Sequence, residues 1–272
     1  MKFLKLIDKM LEAKDRRELD SKKRTSHHPS GYSDCMRKMF FDWTNFPVSN
    51  YRTATDIYKI LAGKWIHQGF AELLKELYGD RVQTEVEFTY EHPDLQYPIH
   101  GFMDNVIVID GVLIGIELKT SFGRGIVSIA KTGRPKDEHL NQTKIYLALN
   151  EVISSFSLPY LGRDSFYRTE FEVFLNERDR KAFTEIVVER FKKLENYVNN
   201  LEVPDREFHA IVKDGEIKDK IQKDGIMYKS DWQCLYCVYR DSCYTKERDS
   251  MSICIPEKLK GGLSDEYCEI DS

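Results

Sequence analysis

The chain of 272 residues has no apolar run approaching the roughly 20 residues that a membrane-spanning helix requires. Its opening stretch, MKFLKLIDKMLEAKDRRELD, breaks its apolar residues with charges every few positions. It therefore lacks the continuous apolar core and small-residue cleavage site of a signal peptide. The expectation is a cytoplasmic protein (host-cell cytoplasm, were the chain viral) with no membrane partner. Internal repeats and low-complexity tracts are also missing. With only 8 Pro and 15 Gly, a fibrous or linker-dominated chain is excluded. No G-x-x-x-x-G-K-[ST] phosphate loop occurs, which argues against a built-in helicase motor. An excess of either charge is lacking too: 41 basic residues face 45 acidic ones, for a formal net charge of −4. That balance neither advertises nor excludes a nucleic-acid ligand, because acidic sites elsewhere can mask a local basic surface. One such surface is visible in SFGRGIVSIAKTGRPK, residues 121 to 136, where Arg124, Lys131, Arg134 and Lys136 occur with no acidic residue. A solvated basic loop explains it equally well.

What is present is a regular alternation of element signals. Residues 1 to 18 have the spacing of an amphipathic helix, and a short helix is expected near DCMRKMFFDW. TATDIYKILAGKWIHQGFAELLKELYG has helical periodicity, with Thr53 or Thr55 as its cap. VQTEVEFTY alternates as a strand does, and DEHLNQTKIYLALN returns to helical spacing. VISSFSLPYL and RTEFEVFL read as strands, and NERDRKAFTEIVVERFKKLENYVNNLEV as a long helix capped by Asn176. The final 70 or so residues read as irregular and hold five of the six cysteines. This order gives a mixed α/β core. Four segments are expected: an N-terminal helical part (1–50), a core (51–176), a helix with a cysteine cluster (177–245) and a tail (246–272).

The stretch GVLIGIELKTS poses the sharpest question, because Glu117 and Lys119 end an apolar strand, where charge is costly to desolvate. Asp110-Gly111 just before it is a strong two-residue hairpin signal. With Ile109 paired to Val112, residue 117 falls opposite Asp104, and alternation puts Lys119 on the same face as Glu117. Two facing carboxylates repel unless a proton or cation lies between them. A divalent ion would compensate them, activate water and offset charge on a phosphodiester, and Lys119 is suited to orient the attacking water. A structural salt-bridge network is the other reading.

Neighbouring helices add ambiguous groups. His139, Gln142 and Tyr146 share one helical face, either as a phosphate- or base-binding edge or as an ordinary polar edge. His67 shares a face with Ile57, Ile60, Ala71 and Leu74, the usual setting of a core histidine. WQCLYCVYRDSC places Cys234, Cys237 and Cys243 in a C-x2-C-x5-C spacing. In a reducing compartment such a cluster points to zinc or an iron–sulfur cluster, with Cys35, Cys254 or Cys268 as the fourth ligand.

Taken in order, these motifs resemble a known family. CMRK, GKWIH, GFMD, IELKTS, QTKIY and CLYCVYRDSC resemble the iron–sulfur-bearing RecB-like branch of the PD-(D/E)XK nucleases. That branch includes CRISPR-associated exonucleases and their stand-alone viral relatives. The resemblance implies a restriction-endonuclease-like α/β fold, with a central mixed sheet flanked by helices and a C-terminal iron–sulfur module. It implies a metal-dependent DNA exonuclease acting on single strands or ends, in repair, recombination or CRISPR adaptation. His67, Asp104, Glu117 and the Leu118 carbonyl would hold Mn²⁺ or Mg²⁺, and Asp104, Glu117 and Lys119 would form the catalytic centre. Gln142 and Tyr146 would contact DNA, joined by Arg124 and Lys131 of the basic stretch. Cys35, Cys234, Cys237 and Cys243 would bind a 4Fe–4S cluster. Recombination, replication or CRISPR-adaptation proteins would be its partners. The rival reading is an idle or zinc-stabilised DNA-binding or assembly factor.

Overall fold

A computed structural model describes residues 3–223, 226–245, 253–254 and 268–269. The chain groups into two compact units. One comprises residues 24–33 and 55–196 (the sheet unit), and the other 1–23, 34–54 and 197–272 (the cysteine unit).

The longer segment of the sheet unit opens within helix α3 (Ala54–Tyr78), which starts directly after Thr53. Strands β1 (Val82–Tyr90) and β2 (Ile99–Ile109) pair antiparallel, and β3 (Val112–Ile116) folds back on β2. Asp110 and Gly111 have φ of 50° and 79°, the doubly left-handed turn whose twist suits a hairpin. The pairing is the expected one, from Ile109↔Val112 to Asn105↔Ile116. After a break at Glu117 and Leu118 the chain resumes as β4 (Lys119–Ser121). Both β3 and β4 run parallel to β5 (Ser155–Gly162), and β6 (Arg168–Val173) pairs antiparallel with β5. The result is a six-stranded mixed sheet.

Gly115 of β3 is required by packing, since a Cβ there would stand 2.3 Å from the Phe156 ring. Helices cover both faces. Phe70, Leu74 and Tyr78 of α3 pack on Val82, Ile107, Ile114 and Ile116. The main core gathers Met103, Phe156 and Leu158 of the sheet with residues from three helices. These are α4 (Gly123–Thr132), α5 (Asp137–Leu149) and α6 (Glu177–Asn200). Asn176 caps α6 as expected, its Oδ1 accepting from the Asp179 N–H at 2.8 Å.

Over residues 123–132 of the basic stretch 121–136, helix α4 replaces the solvated loop that is one of its two readings. Ile126 and Ile129, one turn apart, are buried, and Gly133 with φ of 62° ends the helix. Gly123 and Gly125 lower its intrinsic propensity, and tertiary burial outweighs them.

In the cysteine unit α1 (Phe3–Ser21) forms as expected, with none of its residues buried. Helix α2 spans Met36–Trp43. The segment expected to be irregular instead carries short strands. These are β7 (Ile211–Lys213) with β8 (Glu216–Lys218), and β9 (Lys220–Lys223) with β10 (Ile226–Lys229). Two one-turn helices follow, α7 (Trp232–Leu235) and α8 (Arg240–Cys243). Strands β11 (Ile253–Cys254) and β12 (Cys268–Glu269) pair with each other, and β11 pairs with β7. The rest of the tail lies outside the described residues, as do the side chains of Cys254 and Cys268. Among the described residues no helix is long and apolar enough to cross a membrane.

Candidate active site and cysteine cavity

The β2–β3 ladder ends at Asn105↔Ile116, and the next residues outward are Asp104 and Glu117. On the other edge of β2 the register passes over Asp104 as well, and Glu85 on β1 has a left-handed φ of 51°. Asp104 thus lies where regular pairing lapses on both sides, which frees local geometry for a site. Its Oδ2 accepts from the Leu118 N–H at 2.9 Å and stands 3.2 Å from His67 Nδ1. His67 projects from α3 and is partly exposed, so it is not a core histidine.

Glu117 is 2% exposed. Its Oε1 accepts from Lys119 Nζ at 2.8 Å and from Gln142 Nε2 at 2.7 Å. Lys119 Nζ donates also to Gln142 Oε1 at 2.8 Å, closing a three-membered ring of hydrogen bonds. The second carboxylate oxygen, Oε2, is buried with no hydrogen-bond partner. Burial pushes the Glu117 carboxyl above the usual range; Lys119 opposes that push and the charge of Asp104 adds to it. Among the described residues, no three His, Cys, Asp or Glu side chains are gathered closely enough to enclose an ion as they stand. Yet an orphaned buried oxygen beside a second carboxylate and an imidazole is an incomplete electrostatic arrangement. A hard divalent cation completes it, so the donor set fits one.

Gln142 and Tyr146 are both buried, and the Tyr146 hydroxyl donates to the Phe102 carbonyl at 2.8 Å. Gln142 thus supports Lys119 and Glu117, and Tyr146 supports the β2 backbone at Phe102. His139, one turn before Gln142, stands 2.9 Å from the Tyr160 hydroxyl, which accepts from the Lys136 N–H at 3.1 Å. Burial, aided by Lys119 and Lys136, lowers the His139 pKa to about 3, so this ring is neutral beside the site. In the sequence only its spacing from Gln142 marks this residue. Lys131 is exposed on α4, whereas for Arg124 only the backbone, also in α4, lies within the described structure.

In the cysteine unit, Cys35, Cys234, Cys237 and Cys243 are free thiols lining one cavity of about 130 Å³. Cys35 directly precedes α2, Cys234 lies on α7, and Cys243 ends α8. Arg37 Nη1 stands 3.8 Å from Cys243 Sγ, and the Tyr244 hydroxyl 3.7 Å from Cys234 Sγ. Burial pushes the Cys234 thiol up to about 12 and the Cys237 thiol up to about 11, and neighbouring thiols push the same way. A single ion draws its thiolates to about 2.3 Å, whereas a multi-iron cluster lets each thiolate bind a different iron. Four thiols spread around one cavity, among the cationic Arg37, Lys38, Arg206 and Arg240, fit an anionic cluster.

No family model and no curated protein matches the chain. Among solved structures, the protein SSO0001 is similar over 90% of this chain and 98% of its own, at 23% identity and a TM-score of 0.55. An alkaline exonuclease from Laribacter hongkongensis, LHK-Exo, matches over 71% of this chain and 96% of its own, at 12% identity and a TM-score of 0.44. Its complex with dAMP matches over 70% and 96%, at 13% identity and a TM-score of 0.44. At 23% identity the likeness to SSO0001 concerns the fold alone. The chain has an α/β architecture with a central mixed sheet flanked by helices, shared with SSO0001.

Proposed function

We propose that the chain is a metal-dependent deoxyribonuclease, an exonuclease that hydrolyses phosphodiester bonds of single-stranded DNA or DNA ends. The observation that carries this reading is the buried, partnerless Glu117 Oε2 beside Asp104, with Lys119 held in the same cluster. A structural salt-bridge network would use both carboxylate oxygens, and here one is left over. His67, Asp104, Glu117 and the Leu118 carbonyl would hold Mg²⁺ or Mn²⁺, which supplies Lewis acidity and lowers the pKa of water. Lys119 has two fixed acceptors and a third donor proton to offer. That proton is suited to orienting the attacking water or stabilising charge on the phosphorus centre. Asp104, anchored by the Leu118 N–H, fixes the backbone step on which Glu117 and Lys119 sit. The four cysteines would carry a 4Fe–4S cluster, and recombination, replication or CRISPR-adaptation proteins would be the partners.

The test is cleavage of 5′- and 3′-labelled single-stranded and duplex DNA with Mg²⁺ or Mn²⁺, comparing wild type with Glu117→Ala. Metal-dependent cleavage lost in a folded variant is the expected result. Failure of the cluster-loaded wild type to cleave any substrate would shift the assignment to a binding or assembly factor.

A further inference from the structure

We propose that the shared end of β4 and β5 is a base-stacking ledge for single-stranded nucleic acid, built from Phe122, Phe166 and Tyr167 and stiffened by Arg163. This rests on the nuclease reading above and adds the place where the bases of a single strand are held.

Phe122 follows the last residue of β4, and Phe166 and Tyr167 lie in the turn that links β5 to β6. Because β4 and β5 are parallel, with Ser121 beside Gly162, these residues belong to one end of the sheet. They are 48%, 69% and 49% exposed. Three large rings left open at one sheet end are apolar surface that the core does not use and that a ligand can cover.

Arg163 is held from several sides. Its backbone N–H donates to Ser121 O at 2.8 Å, its Nε to Thr120 Oγ1 at 2.8 Å, and its Nη1 to the Lys59 carbonyl. Its guanidinium lies 5.3 Å from the Phe122 ring centroid, so the ring has a fixed cation against it while about half its surface stays open. Phe166 has a φ of 49°, a left-handed backbone that a bulky residue rarely adopts. Its N–H bonds to Gly162 O at 3.1 Å, and Gly162 N–H to Tyr167 O at 2.8 Å, which hold the turn in that form. Backbone strain of this kind concentrates where a side chain must be presented.

Position and charge select the occupant. Phe122 is three residues beyond Lys119, about 10 Å along a strand. A chain whose phosphate lies at Asp104 and Glu117 can therefore reach the ledge with a neighbouring base. The stretch from 121 to 136 contains no acidic residue. Asp164, the one carboxylate in the turn, accepts from the Gly123 N–H at 3.1 Å. Stacking on an aromatic ring tolerates any base, because every base has a π-face. A duplex keeps its bases stacked on one another, so the ledge favours single strands.

The test is equilibrium binding of a labelled oligothymidylate and of a blunt duplex, measured in EDTA so that no cleavage intervenes. The cleavage assay thus judges the nuclease reading separately. Phe122→Ala and Tyr167→Ala are each expected to weaken single-strand binding roughly 5- to 100-fold. Duplex affinity should be nearly unchanged. The slope of log affinity against log salt should also hold, because no phosphate contact is lost. Phe122→Trp should restore binding. Wild-type single-strand affinity in both alanine variants would overturn the proposal, as would an equal loss on duplex or a wild type that binds no single strand. Altered self-association by sedimentation, with DNA affinity unchanged, would assign the ledge to a second copy of the chain and overturn it equally.

Discussion

At Gln142 one amide serves two charged neighbours. Its Oε1 accepts from Lys119 and its Nε2 donates to Glu117, so a single rotamer fixes both groups. Helical spacing alone put Gln142 on one face with His139 and Tyr146, and all three do point into the same region of the sheet unit. What spacing could not reveal is which non-local partner that face meets, and the structure supplies a lysine from β4. The same limit applied to His67, whose apolar face-mates suggested a core residue; its contact with Asp104 depends on strand placement rather than helical period. Gln142→Ala removes both bonds and lets Lys119 drift. If the amide positions the lysine, steady-state cleavage kinetics should show kcat falling about 100-fold with KM little changed. A rise in KM at unchanged kcat would instead mark Gln142 as a DNA contact.

Among the elements, the hairpin was the most legible, because Asp-Gly fixes the turn and the turn fixes the register. The same dipeptide recurs at Asp214-Gly215, with φ of 52° and 71°, between β7 and β8. That signal was available. Strands of three residues rich in charge have no apolar alternation to confirm it. Less legible was the break between β3 and β4, where a single apolar run becomes two strand segments on one edge of β5. The break places Glu117 and Lys119, and it depends on how deeply β3 is seated. Gly115, two residues before Glu117, lets Phe156 of β5 approach more closely than any side chain would allow. Gly115→Ala is therefore expected to cost about 1–3 kcal/mol in urea unfolding, because the buried ring cannot move aside freely. Phe156→Leu in the same chain should reduce that cost, and the interaction is read from the double-mutant cycle. Additive effects would show that the ring is not what Gly115 accommodates.

For the molecule as a whole, the two units differ in what stabilises them. The sheet unit buries an extended core, with Met103, Ile145, Phe156, Leu158 and Val187 at or below 2% exposure. In the cysteine unit, the cluster around Tyr244 is small, joining Ala210 and Val212 with Ile217, Cys234 and Cys243 at its edge. Met36, Met39, Phe40, Phe41 and Tyr239 are buried in the same unit, so a bound cluster would add to existing packing. Burial raises the Cys234 and Cys237 thiols further above neutral pH, so both are protonated there. Binding a cluster would release those protons and add its binding free energy to folding. The spacing of the three C-terminal cysteines points to a metal site, with Cys35 one of three candidates for the fourth ligand; only the resemblance singles it out, since nothing local to α2 marks it as a ligand. Anaerobically purified protein is thus expected to contain iron and acid-labile sulfide with broad visible absorption. Cys237→Ser should lose both and lower the protection of cysteine-unit amides in hydrogen exchange, while the sheet-unit core stays protected. A colourless wild type carrying zinc would replace the cluster with a zinc site. A Cys237→Ser variant with full iron and unchanged exchange would remove that thiol from the ligand set.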